Sequence, residues 1–111
     1  MAKGERGIQT AIMNALFAHP KVAWAYVTTI GLFKGRGGQR INVGFPGQSD
    51  ILGQMKDGRF LAIEVKQPGK VPTEDQYKFL DLVSKNNGVS GWADNIEDAI
   101  KIVDEKRITQ N

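Results

Sequence analysis

The sequence predicts an α/β domain with a mixed β-sheet, and three observations lead to this fold class. Apolar residues recur at helical spacing near both ends of the chain and again after residue 73. Runs rich in β-branched and aromatic residues lie between these segments. Asp57-Gly58 stands between two such runs and is the strongest hairpin signal in the chain. The order α-β-β-β-α-β-α predicts an antiparallel three-stranded meander, then a right-handed crossover to a parallel strand, with helices flanking the sheet.

Each element has its own local signal. The glycine-rich segment 31–48 has little core-forming content, so it predicts either a mobile loop or a loose hairpin. Thr73 is a good N-cap for the second helix. The expected inner stripe of that helix is Tyr77, Leu80 and either Leu82 or Val83. The predicted elements are helix 5–18, strand 22–30, strand 50–55, strand 60–66, helix 74–85, strand 89–93 and a final helix capped by Asp94 or Asn95.

Length and composition narrow the class of protein. The 111 residues fit a single domain, 1–111, and its 41% hydrophobic content is ordinary for a globular chain. The absence of cysteine excludes disulfides and thiolate zinc sites, and a single histidine, His19, excludes a multi-histidine metal centre. The longest apolar stretch, 22–33, is too short and too interrupted to cross a bilayer. The first ten residues lack the apolar core of a signal peptide, so we expect a cytoplasmic protein.

Charge is distributed unevenly along the chain. Residues 1–70 hold ten Lys and Arg against four Asp and Glu, a net charge of +6, whereas residues 71–111 hold five against eight, a net charge of −3. A basic front half suits a polyanionic partner, because binding releases the counterions of that partner. The acidic remainder is typical of solvated helix surface. The charge pattern therefore favours nucleic-acid binding.

Charged side chains occupy strand positions in the run from Phe60 to Lys66. Because side chains alternate across a strand, Glu64 and Lys66 share one face with Ala62, while Leu61, Ile63 and Val65 form the core face. The position of Asp50 depends on the hairpin register. A two-residue turn at Asp57-Gly58 would place Asp50 opposite Val65 and so mix charge into the core.

A three-residue loop of Asp57, Gly58 and Arg59 keeps apolar residues opposite apolar residues. The resulting pairs are Met55 with Leu61, Ile51 with Val65, and Asp50 with Lys66. We predict this register, which gathers Asp50, Glu64 and Lys66 on one face.

Two carboxylates and a lysine on one surface lose hydration if they are buried without partners. Mg²⁺ takes oxygen ligands and is often held by one or two carboxylates, so Asp50 and Glu64 are candidate metal ligands and the carbonyl of Val65 is a candidate third. Lys66 would then orient a water molecule, help it lose a proton and offset charge that builds on phosphorus. A plain salt-bridge cluster on an exposed sheet face is the alternative that spacing leaves open.

The motif itself resembles a known nuclease core. "GQSD" followed across the hairpin by "IEVK" resembles the PD-(D/E)XK nucleases, and the continuation "QPGKVPTEDQ" is similar to their VRR-NUC branch. That branch includes stand-alone virus and prophage nucleases. The resemblance covers roughly residues 5–103 and implies a restriction-endonuclease-like core. Ser49 departs from the pattern, because the family name leads one to expect proline there.

The resemblance implies metal-dependent hydrolysis of DNA phosphodiester bonds with Mg²⁺ or Mn²⁺ as cofactor. Asp50 and Glu64 would bind the metal and Lys66 would act at the nucleophilic water. It also implies that Glu5 is a further acidic ligand and that Gln76 is an active-site residue. Glu5 is otherwise a solvated carboxylate at a helix start, and Gln76 otherwise closes a capping box with Thr73.

The resemblance to stand-alone members of the family implies a homodimer. A twofold dimer would place two sites against a four-way DNA junction. We therefore expect a structure-selective endonuclease, a Holliday-junction-resolving homodimer acting on branched DNA in the host-cell cytoplasm if a virus encodes it. A catalytically silent DNA-binding module of the same fold is the main alternative, and a structural virion protein is a third.

The DNA contacts are predicted from the basic glycine-rich segment. Its cationic side chains, together with one that follows the strand 60–66, are the candidate phosphate contacts: Lys34, Arg36, Arg40 and Lys70. A plain flexible surface loop is the alternative. Trp24, Tyr26 and Trp92 are expected to be core or interface aromatics rather than platforms for base stacking, because strand positions usually bury them.

Overall fold

The computed structural model describes residues 4–28, 31–34 and 36–106, of which 31–34 and 40–43 are described by their backbone alone. No helix in this described part of the chain is long and apolar enough to cross a lipid bilayer. The elements in chain order are α1 (Glu5–Phe17), β1 (Val22–Val27), β2 (Gly31–Lys34), β3 (Arg40–Val43), β4 (Ile51–Met55), β5 (Phe60–Val65), α2 (Glu74–Lys85), β6 (Val89–Ala93) and α3 (Ile96–Val103).

The α/β class and the mixed sheet are confirmed. Four strands form a sheet in the order β1-β4-β5-β6, in which β1, β4 and β5 are antiparallel and β6 pairs in parallel with β5. Helix α2 supplies the crossover that a parallel pair requires. The glycine-rich segment is a hairpin, since β2 and β3 pair in a separate two-stranded sheet.

The two faces of the four-stranded sheet bury different cores. The first face, which carries Ile51, Leu61 and Ile63, packs under α1 and α3 in the larger cluster of buried apolar residues. The second face packs Leu52 and Ala62 under α2. Helices therefore cover the sheet on both sides, and β5 is buried almost along its whole length.

The predicted hairpin register is wrong by two residues. Ile51 pairs with Ile63, and Gln54 pairs with Phe60, so the predicted pairing of Ile51 with Val65 does not occur. The amide of Met55 donates to the carbonyl of Arg59, which makes the loop Lys56, Asp57 and Gly58. Gly58 has φ 99, a backbone conformation that favours glycine, and this local requirement sets the loop.

A slip of two residues preserves the face on which each side chain lies, because the side-chain period of a strand is two. Asp50 therefore still lies on the second face with Glu64, but opposite Glu64 rather than opposite Lys66. Leu52, on the same face, is buried against α2. The prediction that Asp50 and Glu64 share one face is therefore confirmed, although the predicted register is wrong.

The second helix is rotated slightly from its predicted phase. Its buried residues are Phe79, Leu80 and Val83. Tyr77 is exposed, contrary to the prediction, and of the two alternatives Val83 rather than Leu82 faces the sheet.

Candidate functional site

A row of side chains crosses the second face near the start of β4. Extending the observed registers places Thr28, Asp50 and Glu64 side by side on β1, β4 and β5, and Trp92 next to Glu64 on β6. The amide of Thr28 donates to the carbonyl of Asp50 at 2.7 Å, which continues the β1–β4 pairing to this level. The row is the centre of the candidate site.

Asp50 is held from its backbone and its side chain. The amide of Val65 donates to Asp50 Oδ2 at 2.9 Å, which orients the carboxylate across the strand pair. The hydroxyl of Thr28 donates to the carbonyl of the preceding residue, Ser49, at 2.8 Å. Asp50 is thus hydrogen-bonded through its carbonyl to β1 and through its carboxylate to β5.

Glu64 is the buried acid of the site. It is 1% exposed, and its Oε2 atom has no hydrogen-bond partner in the described structure. Burial, a hydrogen bond with the Asp50 carboxyl and the charge of Asp50 raise the pKa of Glu64 to about 9. In the absence of a cation, Glu64 therefore keeps its proton at neutral pH, hydrogen-bonded to the carboxyl of Asp50.

Lys66 and Glu5 act electrostatically on the same group. The charge of Lys66 opposes the rise in the pKa of Glu64, whereas the charge of Glu5 adds to it. Glu5 is exposed at the start of α1, where Gly4 lies beside the side chain of Gln67 just beyond β5. The structure thus brings Asp50, Glu64, Lys66 and Glu5 into one electrostatic neighbourhood, with Asp50 and Glu64 in direct contact.

The donor set fits a hard divalent cation only in part. Among the described residues, no group of three or more His, Asp or Glu side chains could hold a metal ion. The Asp50–Glu64 pair, with an orphan carboxylate oxygen on Glu64, nevertheless offers the one or two carboxylates that Mg²⁺ commonly takes from a protein. Water and phosphate oxygens would have to supply the remaining ligands.

Gln76 closes the capping box that its spacing from Thr73 predicts. The Thr73 amide donates to Gln76 Oε1 at 2.8 Å, and the Gln76 amide donates to the Thr73 hydroxyl at 3.3 Å. The Nε2 group of Gln76 remains available for another contact. Gly47, three residues before Asp50, packs so closely on Asp75 and Gln76 that a Cβ there would overlap the Asp75 carbonyl.

The predicted phosphate contacts lie on two segments of the chain. Arg36 is exposed in the turn between β2 and β3, and Lys70 is exposed in the loop that follows Lys66. Lys34 and Arg40 pair through their backbones at the tip of the hairpin, and their side chains lie outside the described part of the structure. In chain order, the hairpin of β2 and β3 lies between β1 and β4.

Sequence reasoning missed the supporting role of Thr28 and the burial of Ser49. Ser49 is fully buried, and its hydroxyl has no partner in the described structure. The sequence predicts Trp24 and Tyr26 in the core or at an interface, and the core placement is wrong, because both are exposed on the second face. Trp92 is partly buried against the cluster under α2. A strand prediction alone does not tell which part of a face a helix will cover.

Comparison with known proteins found no related protein. No family model matches the chain, no curated protein matches it, and no solved structure matches it. The resemblance to VRR-NUC nucleases therefore rests on the residues of the sequence motif alone.

Proposed function

We propose that the protein is a metal-dependent DNA endonuclease of the VRR-NUC type with a restriction-endonuclease-like core. The observation that supports this best is the contact between Asp50 and Glu64, the two carboxylates of the motif, with Oε2 of Glu64 buried and unsatisfied. A salt-bridge cluster on an exposed face would not bury Glu64, nor would it leave a carboxylate oxygen without a partner.

The proposed ligands of Mg²⁺ or Mn²⁺ are Asp50, Glu64 and the Val65 carbonyl, with Glu5 as a further acid at the edge of the site. When bound, such a cation supplies positive charge that polarises the phosphodiester and promotes loss of a proton from the attacking water. Glu64 must release its proton to become a ligand, so metal binding is coupled to its ionisation.

Lys66 follows β5 on the same face as Glu64, and its ammonium group has no ion pair among the described residues. It is therefore available to orient the attacking water and to offset charge that builds on the phosphate oxygens. The water oxygen bonds to phosphorus, the bond from phosphorus to the departing sugar oxygen breaks, and that oxygen takes up a proton. The Nε2 group of Gln76 would contact the phosphate while its Oε1 keeps the helix cap.

The preferred substrate is branched DNA, and the proposed assembly is a homodimer that presents two sites to a four-way junction. Lys34, Arg36, Arg40 and Lys70 would contact its phosphates. This placement agrees with the concentration of positive charge in residues 1–70.

The test is cleavage of end-labelled four-way junction, flap, single-stranded and linear duplex DNA in Mg²⁺ or Mn²⁺. We expect paired symmetric nicks in the junction from the wild-type protein. Lys66→Ala and Asp50→Asn should reduce cleavage by at least about a hundredfold, since each removes a charge that acts on the transition state. Lys85→Ala is the matched control, because Lys85 pairs with Asp81 on α2.

Metal binding provides a second readout that does not depend on cleavage. Mg²⁺ should raise the midpoint of thermal unfolding of the wild-type protein and not that of Asp50→Asn. DNA binding without cleavage, together with no Mg²⁺ effect on unfolding, would instead establish the silent DNA-binding module. Equal cleavage of junction and linear duplex would contradict the proposed junction preference.

A further inference from the structure

Beyond the carboxylates, the second face continues as an exposed aromatic surface. The next row toward the β4–β5 hairpin contains Tyr26, Leu52 and Ala62, and the row after it contains Trp24, Gln54 and Phe60. Trp24 is 48% exposed, Tyr26 is 51% exposed and Phe60 is 44% exposed. We call these three side chains the aromatic strip. Helix α2 packs on β5 and β6 and leaves the β1 side of this face uncovered.

Trp24 and Tyr26 stack on each other within the aromatic strip. The ring centroids of Trp24 and Tyr26 are 6.1 Å apart, and their planes differ by 29°. The indole N–H of Trp24 donates to Gln54 Oε1 at 2.9 Å, and Gln54 Nε2 donates to the carbonyl of Gly58 at 3.1 Å. The polar edge of Trp24 is thus satisfied and its orientation is held, so its exposed face has only apolar contact to offer.

Exposed lysines lie at the hairpin end of the aromatic strip, and the carboxylate site with Lys66 lies at its other end. At the hairpin end, the amide of Lys56 donates to the carbonyl of Lys21 at 2.8 Å, and both of these lysines are exposed. No ion pair occupies either lysine in the described part of the chain. Flat apolar rings beside a pair of exposed lysines match a strand whose bases are apolar on their faces and whose backbone is anionic.

Resting on the proposed nuclease function, we propose that Trp24 and Tyr26 stack on the bases of an unpaired DNA strand that leads into the Asp50–Glu64 site. Duplex DNA keeps its bases stacked on one another, so this surface would engage only single-stranded segments, such as the unpaired arm of a flap. The aromatic strip would then add affinity for branched DNA that carries an unpaired arm, whereas the carboxylates would act on any phosphodiester placed beside them.

The experiment uses tryptophan fluorescence, because the chain has two tryptophans, Trp24 and Trp92. In the full-length Trp92→Phe protein, Trp24 is the sole tryptophan. Oligothymidylate is titrated in EDTA, which prevents cleavage. We expect saturable quenching of Trp24 emission, and about tenfold weaker binding when Tyr26→Ala is added. A blunt duplex of the same length should quench much less.

Phe17→Ala is the matched control, because Phe17 is 68% exposed on α1, which packs on the first face, and its loss should leave the affinity unchanged. Trp24→Phe tests the aromatic strip in a variant that keeps a ring and is expected to fold. Its binding is measured by the anisotropy of a labelled oligothymidylate. It should bind more weakly than wild type and more tightly than Trp24→Ala.

Two outcomes would overturn the stacking proposal. Unchanged oligothymidylate affinity in Tyr26→Ala and Trp24→Ala would show that the bases do not rest on these rings. Loss of a dimer in these variants by sedimentation, without quenching by DNA in the parent, would show that the aromatic strip joins two copies of the chain. The nuclease proposal fails separately, through absence of cleavage that depends on Lys66, and its failure would leave the quenching measured in EDTA unaffected.

Discussion

Glu64 illustrates at the scale of one residue how a site can lower the stability of the fold that carries it. The side chain lies in the central part of the sheet, where an apolar residue would pack without penalty. Burial and the adjacent Asp50 together favour its protonated form. A cation would replace the proton, because it satisfies both carboxylates at once.

Replacing Glu64 should therefore change how stability depends on pH. The unfolded chain releases the proton near the ordinary pKa of 4.5, whereas the folded protein keeps it to a pKa of about 9. In that window the folded state binds more protons, so the free energy of unfolding should fall as pH rises, by at most about 1.4 kcal/mol per pH unit. Glu64→Gln should remove this dependence and be the more stable protein at pH 8.

Urea unfolding from pH 5 to pH 9 in EDTA measures the effect. Glu97→Gln is the control, because Glu97 is exposed on α3 and should keep the wild-type slope. Parallel profiles for wild type and Glu64→Gln would contradict the assignment of Glu64 as a buried protonated acid.

At the scale of elements, the approach to Asp50 depends on one glycine. Gly47 has φ 73, and its Cα lies directly against the first turn of α2. Gly47→Ala should lower stability by several kcal/mol, because it combines left-handed strain of about 1–2 kcal/mol with overlap at the Asp75 carbonyl. Urea unfolding checks the loss.

Gly69→Ala separates the two causes. Gly69 has φ 87, but nothing lies near the position of its Cβ. Gly69→Ala should therefore lose only the stability that backbone strain costs. An equal loss of stability in Gly47→Ala and Gly69→Ala would mean that the contact between Gly47 and α2 contributes nothing.

The capping box of α2 allows the two roles of Gln76 to be separated. Thr73→Ala and Gln76→Ala should each lower stability by about 1 kcal/mol, since each removes one hydrogen bond of the cap. Only Gln76→Ala should also lower the cleavage rate, because Thr73 offers no group to the site. Thermal unfolding and cleavage are measured on the same preparations. Equal loss of cleavage in both variants would show that Gln76 acts only as a capping residue.

At the scale of the whole molecule, the basic residues before position 70 should govern how DNA binding responds to salt. Each phosphate contact that is lost should reduce the slope of log affinity against log salt by about 0.9 for duplex DNA. Arg36→Ala and Lys70→Ala should each show this change, measured by fluorescence anisotropy across a salt series. Lys78→Ala should not, because Lys78 pairs with Glu74 on the acidic helix α2. Unchanged slopes in all three variants would place the phosphate contacts elsewhere.

Much of the architecture was predictable because its signals are local. Helix capping at Thr73 and the alternation along β5 predicted the elements and the faces, and the structure confirms both. The hairpin register was not predictable from apolar matching, because the observed register also pairs apolar residues, such as Ile51 with Ile63 and Leu52 with Ala62.

The sequence by itself determined that Asp50, Glu64 and Lys66 share one face, since a period of two holds in any register that differs by two residues. Only the tertiary structure decided that Asp50 and Glu64 touch and that Glu5 comes near them. The same holds for Trp24 and Tyr26, whose exposure depends on where α2 lies across the sheet. Such distances and exposures arise from contacts between residues far apart in the chain, which local patterns do not encode.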